Sequence, residues 1–218
     1  MQTMETSHKD LQPNPPIVVG ITGASGSIIG FQCIKTLIKL NIPVELVMTE
    51  KSLQVIFDEL QLKITGASEQ EKVQTVLNHI GLPDQTDMLN IYGNQRLDAP
   101  PSSGTHLTRG MIIIPCSMGT LGRISAGIGD NLVARSADVT LKEGRPLVIV
   151  PRESPLNMIH LRNMMTMKEA GAHIVPPMLT FYLPEYENMQ GQINYVIGKV
   201  LDVMQIPHEL YTRWGEHN

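Results

Sequence analysis

Twice in this sequence a short run of branched aliphatic residues ends in a turn of glycine and hydroxyl residues and then changes period into a helical stripe. The first run, residues 17–22, leads into Gly20-Ile21-Thr22-Gly23-Ala24-Ser25-Gly26-Ser27. The second, residues 111–115, leads into Pro115-Cys116-Ser117-Met118-Gly119-Thr120. Each predicts a buried strand feeding directly into a helix, the repeating step of a parallel sheet. After Gly26, the residues Ile29, Cys33, Leu37 and Leu40 fall at i, i+4, i+8 and i+11, the stripe of a half-buried helix. Asn41-Ile42-Pro43 ends it, and a second strand over Val44–Met48 and a helix over Glu50–Leu60 complete a strand–helix–strand unit.

The remaining pattern extends the same alternation. A helix is expected over 69–79, a strand over 88–92 and an irregular Pro/Ser/Gly loop over 99–104. Helices are expected over 117–126 and, capped by Asp130, through Leu132, Ala137 and Leu141. A strand over 147–150, a helix over 156–170 stopped by Gly171, a strand at 174–175 and a helix over 192–204 follow. This is an α/β chain with a mainly parallel, doubly wound sheet between helical layers. The polar, Pro-ended stretch 1–16 reads as a mobile leader, and 17–218 as one domain.

Composition removes several function classes. With 17 Lys and Arg against 21 Asp and Glu, the net charge of −4 lacks the basic excess of a nucleic-acid binder. Three Phe, five Tyr and one Trp are too few for base-stacking platforms. No apolar run reaches the ~20 residues of a membrane span, and residues 1–16 lack a signal-peptide core, so a cytoplasmic protein is expected. Cys33 and Cys116 sit in apolar runs and read as small buried hydrophobes. The seven histidines show no metal-ligand spacing, so no metal is expected. Charged residues are only 17% of the chain, against about 25% typically, which suits a protein that hides surface in subunit contacts.

Both glycine-rich helix starts belong at the carboxyl ends of strands, where open α/β sheets bind ligands. Glycine lets a ligand approach the backbone, and a helix start offers free N–H groups to a phosphate or the polar edge of a flavin. The first turn is G-x-x-G-x-x-G, not the dinucleotide pattern, and a ligand-free βα turn needs similar glycines. Thr49-Glu50 closes the second strand, and Glu59 follows ten residues after Thr49. On pattern alone Glu59 fits a solvated helix face. The charged run Arg135, Lys142, Glu143, Arg145, Arg152 and Glu153 straddles the strand at 147–150. It fits either cations converging on a phosphate, with a carboxylate beside them to move a proton, or a surface ion-pair cluster. Tyr182 follows the last strand and fits either the same sheet edge or a packing aromatic.

Taken together, GITGASGSIIG (20–30), ELVMTEKS (45–52), APPSSG (99–104), IIPCSMGTL (113–121), the long block 131–164 with LKEGRPLVIVPRESP, GAHIVPP (171–177), FYLP (181–184) and RWGE (213–216) resemble the UbiX-type flavin prenyltransferases, formerly described as aromatic-acid decarboxylases. The resemblance implies a flavodoxin-like, Rossmann-like three-layer sandwich that assembles as a homododecamer and uses no metal. It implies transfer of a dimethylallyl group from dimethylallyl phosphate to reduced FMN, giving prenylated FMN for a UbiD-type decarboxylase in quinone synthesis or aromatic-acid breakdown. By position, Gly23, Ala24, Ser25, Thr49, Ser117, Met118, Gly119, Thr120 and Arg135 are implied to hold FMN. Lys142, Arg152, Tyr182 and Lys199 are implied to hold the prenyl phosphate. Many members have arginine where this chain has Lys199, which keeps the charge but lacks the bidentate fork. Glu59 and Glu153 are implied as acid/base carboxylates and Ser25 as a serine near flavin N5. Two other readings share the flavin: an FMN-dependent decarboxylase of the cysteine-decarboxylase group, for which the GASGS and VMTEKS segments offer no histidine, and a non-catalytic FMN carrier.

Overall fold

The computed structural model describes residues 14–66, 68–181, 188–213 and 215. Six parallel strands, β1 (Ile17–Ile21), β2 (Val44–Met48), β3 (Leu89–Gly93), β4 (Gly110–Cys116), β5 (Leu147–Pro151) and β6 (His173–Ile174), form one sheet in the order β3-β2-β1-β4-β5-β6. β1, β2, β4 and β5 are buried along their whole length, as continuous apolar runs in a two-sided parallel sheet must be.

Alternation along the strands splits the core in two. Ile17, Val19 and Ile21 face one layer with α1 (Ser27–Lys39), α2 (Glu50–Leu60), α3 (Glu69–Ile80) and α7 (Met189–Val203). Val18, Ile113 and Ile149 face the other, with α4 (Met118–Ser125), α5 (Leu132–Lys142) and α6 (Met158–Glu169). The result is the three-layer sandwich expected, with every strand pair parallel. Asn14 donates through its side chain to the Asn41 carbonyl, and Arg109 N donates to Pro16 O at 2.9 Å, so residues 14–16 already touch the sheet's amino edge.

Several boundaries differ from expectation for local reasons. Asp130 does not cap α5; it pairs with Arg123 at 2.6 Å, and Asn131 accepts from the Ala134 amide instead. α6 begins two residues later than its pattern because Asn157 and His160 form a reciprocal capping box. α7 begins three residues earlier because Asn188 caps it. On α1, Leu40 is the C-cap and 38% exposed, while Phe31, Ile34 and Ile38 share the buried face with Cys33 and Leu37. Both cysteines are fully buried, and burial pushes each thiol up to about 12. Among the methionines of α6 only Met167 is buried, whereas Met158, Ile159 and Met165 are exposed.

Candidate active site at the carboxyl edge of the sheet

The strand order reverses between β1 and β4, so α1 leaves β1 towards one face and α4 leaves β4 towards the other. This opens a crevice between the two glycine-rich helix starts. A chain of hydrogen bonds ties four strand ends into one rim. Thr49 N donates to Ile21 O at 3.1 Å, Thr22 N to Pro115 O at 3.2 Å, and Arg152 N to Cys116 O at 3.0 Å. Thr22, fully buried, is the central tie: its hydroxyl donates to Pro115 O at 2.9 Å and accepts from Ser117 N at 2.7 Å. In the sequence Thr22 shows only as a lone hydroxyl at the end of an apolar strand, a signal too weak to mark this role.

Each implied flavin residue of this rim has a definite local role. Thr49 caps α2, accepting from Ser52 N at 3.2 Å. Ser117 caps α4, accepting from Thr120 N at 3.3 Å and donating to the Thr120 hydroxyl at 3.1 Å. Met118 is buried beneath that turn. A Cβ on Gly119 would meet nothing within 4 Å, so the open side of α4's first turn has room for a ligand. A Cβ on Gly23 would lie 2.7 Å from Lys51 Cβ, so glycine there lets the turn pack against α2, with Ala24 buried behind it.

Glu59 is not on a solvated face. Its carboxylate accepts from Gly26 N at 2.9 and 3.1 Å and from Ser27 N at 2.8 Å. Gly26 caps α1 with φ 101°, a left-handed conformation that favours glycine. Partial burial pushes the Glu59 carboxyl up, but the Ser25 side chain and these two amides outweigh it and leave the group below the usual carboxylate range. Two of the N–H groups that the first turn was expected to offer a ligand are thus already occupied by Glu59. Glu50 turns away to Gln95 at 3.2 Å and Asn94 at 3.4 Å. Asn94, also missed from sequence, accepts from Leu132 N and Val133 N at the start of α5.

Arg152 and Glu153 follow β5 and line a cleft of about 480 Å³ with Met164, Pro176, Pro177 and Met178. Glu153 accepts from Ser154 N at 3.0 Å. Within one copy, however, the expected convergence of cations on this edge does not occur. Lys142 ends α5 at the opposite edge of the sheet, paired with Glu143. Arg145 is spent there on Gly104 O and His106 O, both at 2.8 Å. Lys199 lies one turn before the end of α7, whose terminus shares a cleft with Leu141 and Arg145 at that same far edge. Arg135 stands in the first turn of α5, on Ser102 O at 3.2 Å and Asp138 at 2.7 Å. The strand β5 separates Lys142 from Arg152, and a helix running back along a strand must end at the strand's beginning. Tyr182 lies outside the described residues.

A flavoprotein family model matches residues 5–205. The flavin prenyltransferase UbiX of Halalkalibacterium halodurans is 45% identical over 199 residues, covering 91% of this chain and 92% of that protein. The chain belongs to the UbiX-type flavin prenyltransferase family. Among solved structures it is similar to AnUbiX (PadA1) in complex with FMN and dimethylallyl pyrophosphate, with a TM-score of 0.79, 36% identity and coverage of 94% of this chain and 100% of that one. It is also similar to a dodecameric FMN-dependent Ubix-like decarboxylase of Escherichia coli O157:H7, with a TM-score of 0.77, 38% identity and coverage of 91% and 98%. Among the described residues no cluster of His, Cys, Asp or Glu is arranged to hold a metal, and no helix is long and apolar enough to cross a membrane.

Proposed function

We propose that this chain, one flavoprotein domain over 17–218 behind a leader over 1–16, transfers a dimethylallyl group from dimethylallyl phosphate to N5 and C6 of reduced FMN. The observation that carries the reading is the rim itself: two glycine-rich helix starts face each other across the switch point, with Glu59 locked to one and open space at Gly119 on the other. That arrangement fits a flavin, which is also bound in the AnUbiX structure. When bound, reduced FMN supplies the nucleophilic atoms.

The chain's own residues do the rest. Ser117, Met118, Gly119, Thr120, Thr49 and Arg135, with Gly23, Ala24 and Ser25, are the residues that would hold the flavin. Breaking the donor's C–O bond leaves negative charge on phosphate, which Lys142, Arg152, Lys199 and Tyr182 stabilise. The apolar side of the cleft at Pro176, Pro177 and Met178 keeps water from the allylic carbon. Bonding at N5 would release the N5 proton, and closing the ring at C6 would need one proton given to the prenyl double bond and one taken from C6. Glu59, ionised at neutral pH and tied to Ser25, and Glu153 beside Arg152 are the carboxylates that move these protons.

Since one copy keeps Lys142 and Lys199 at the far edge, the donor site is completed between copies. The exposed apolar face of α6 (Met158, Ile159 and Met165) supports an assembly, and the similar Escherichia coli structure is dodecameric. We take the assembly here to be a dodecamer, cytoplasmic, passing prenylated FMN to a UbiD-type decarboxylase. The test is an anaerobic incubation with reduced FMN and dimethylallyl monophosphate, read by mass spectrometry. The reading expects a flavin heavier by one C5 unit. An unchanged flavin mass, or carbon dioxide released from a cysteinyl substrate without any prenyl donor, overturns it.

A further inference from the structure

The carboxylate of Asp202, in the last turn of α7, is the centre of a cluster that the proposed reaction uses only through Lys199. It accepts from Lys199 Nζ at 3.3 Å, His208 Nε2 at 3.2 Å, Arg213 Nη2 at 2.8 Å and, in a short contact, the Tyr211 hydroxyl. The Leu210 amide donates to His208 Nδ1 at 3.2 Å, so the proton of the neutral ring sits on Nε2 and faces Asp202. Partial burial works against ionisation of Asp202, but Tyr211, Arg213 and Lys199 outweigh it and keep the carboxyl well below its usual range.

The tail that supplies these donors is packed closely on the helix. A Cβ on Gly198 would lie 2.5 Å from two Tyr211 ring atoms and 2.9 Å from His208. The Tyr211 ring lies between the cations, 6.0 Å from Lys199 Nζ and 5.7 Å from the Arg213 guanidinium carbon. Lys199 and Arg213 both pair with this carboxylate through side chains about half exposed, at 46% and 50%. An ammonium on a four-carbon stem has no preferred direction of its own, whereas a guanidinium fork is pre-organised. Lysine at this place needs an external anchor to point reliably at an anion, and Asp202 is one turn away on the same helix face.

We propose that Asp202 is a positioning residue for the allylic donor: it holds Lys199 in one orientation for the donor phosphate, and His208, Tyr211 and Arg213 of the C-terminal tail hold Asp202. The inference rests on the reading of Lys199 as a phosphate ligand. Simple Coulomb attraction predicts the opposite sign, since removing a carboxylate beside an ammonium strengthens its pull on an anion. The direction of change therefore decides the matter.

The experiment measures KM for dimethylallyl monophosphate, kcat and FMN affinity in Asp202→Asn, Asp202→Glu, Lys199→Ala and the Asp202→Asn/Lys199→Ala double variant. Freeing one long side chain costs about 0.5–1.5 kcal/mol of ordering, so Asp202→Asn raises the donor KM about three- to tenfold, with kcat and FMN affinity within about twofold. Asp202→Glu restores part of the loss, and Asp202→Asn adds nothing in the Lys199→Ala background. A donor KM that falls or stays level in Asp202→Asn, while Lys199→Ala raises it, overturns this inference and leaves the phosphate role of Lys199 standing. So does an equal rise in both backgrounds. If Lys199→Ala leaves the donor KM unchanged, both readings fail. Should Asp202→Asn not fold, Tyr211→Phe removes one of the carboxylate's donors and is expected to raise the donor KM by a smaller factor; an unchanged KM there overturns the inference equally.

Discussion

Replacing Glu59 with glutamine separates the structural and chemical parts of its role. The carboxylate receives three short contacts from two amides at the start of α1. Glutamine keeps one acceptor oxygen and turns an NH2 group towards those same donors. Exchanging charge-assisted bonds for one neutral bond costs about 1 kcal/mol, and loss of a negative charge at a helix start costs about 0.3–1 kcal/mol more. For a chain of about 200 residues that lowers Tm by about 2–8 °C. The folded carboxyl titrates below its unfolded value of about 4.3, so its stabilising effect is full above that pH and is lost as pH falls through the folded value. The Tm gap between wild type and Glu59→Gln is therefore widest at pH 7 and closes on acidification below about pH 4. Thermal unfolding followed by near-UV circular dichroism across pH 3.5–7 reads this directly. A gap that persists undiminished in acid, or that is absent at pH 7, refutes the assignment of the stabilisation to the ionised carboxylate. Turnover should fall by about 100-fold or more with FMN affinity nearly kept; full turnover would remove Glu59 from the proton path.

Three other perturbations probe the rim and the assembly. Thr22→Val preserves shape but leaves Ser117 N without its buried acceptor, while Pro115 O keeps only the Thr22 amide, and urea unfolding should show a loss of about 1–3 kcal/mol; a loss under about 0.5 kcal/mol would contradict the tie. Gly119→Val points its side chain into open space, so stability should shift by no more than about 0.5 kcal/mol while the Kd for FMN rises at least about tenfold, measured by flavin fluorescence. Flavin affinity equal to wild type would place the ligand elsewhere. At low donor concentration Arg152→Ala and Lys199→Ala should each lose most activity alone through a raised donor KM, yet co-assembled copies should regain part of it, because some sites then receive both intact residues. Activity that does not recover in the mixed assembly would mean that the two residues do not meet across copies.

Much of the sheet was legible because its signals are local. Strand-to-helix changes of period at Gly26 and Ser117 sit beside the turn chemistry that marks them, and β2 and α2 matched their expected bounds. Caps were less legible. Asp130 and Asn131 are adjacent residues able to play the same role, and the choice fell to the neighbour Arg123 that captured Asp130. The role of Thr22 was equally hidden, since its partners lie 93 and 95 residues away.

By itself the sequence settled the alternation of strands and helices and the two glycine-rich starts, because periodicity and turn residues act over a few neighbours; the family was legible only through the resemblance of its motifs. Only the tertiary structure decided that Glu59 closes on the first turn of α1, since that contact needs α2 packed beside α1. It also decided that Lys142 and Arg152, ten positions apart, face opposite edges of the sheet. The physical reason is plain: a five-residue strand advances about 3.3 Å per residue, so the residues at its two ends are carried apart by the very element that brings β5 into the core.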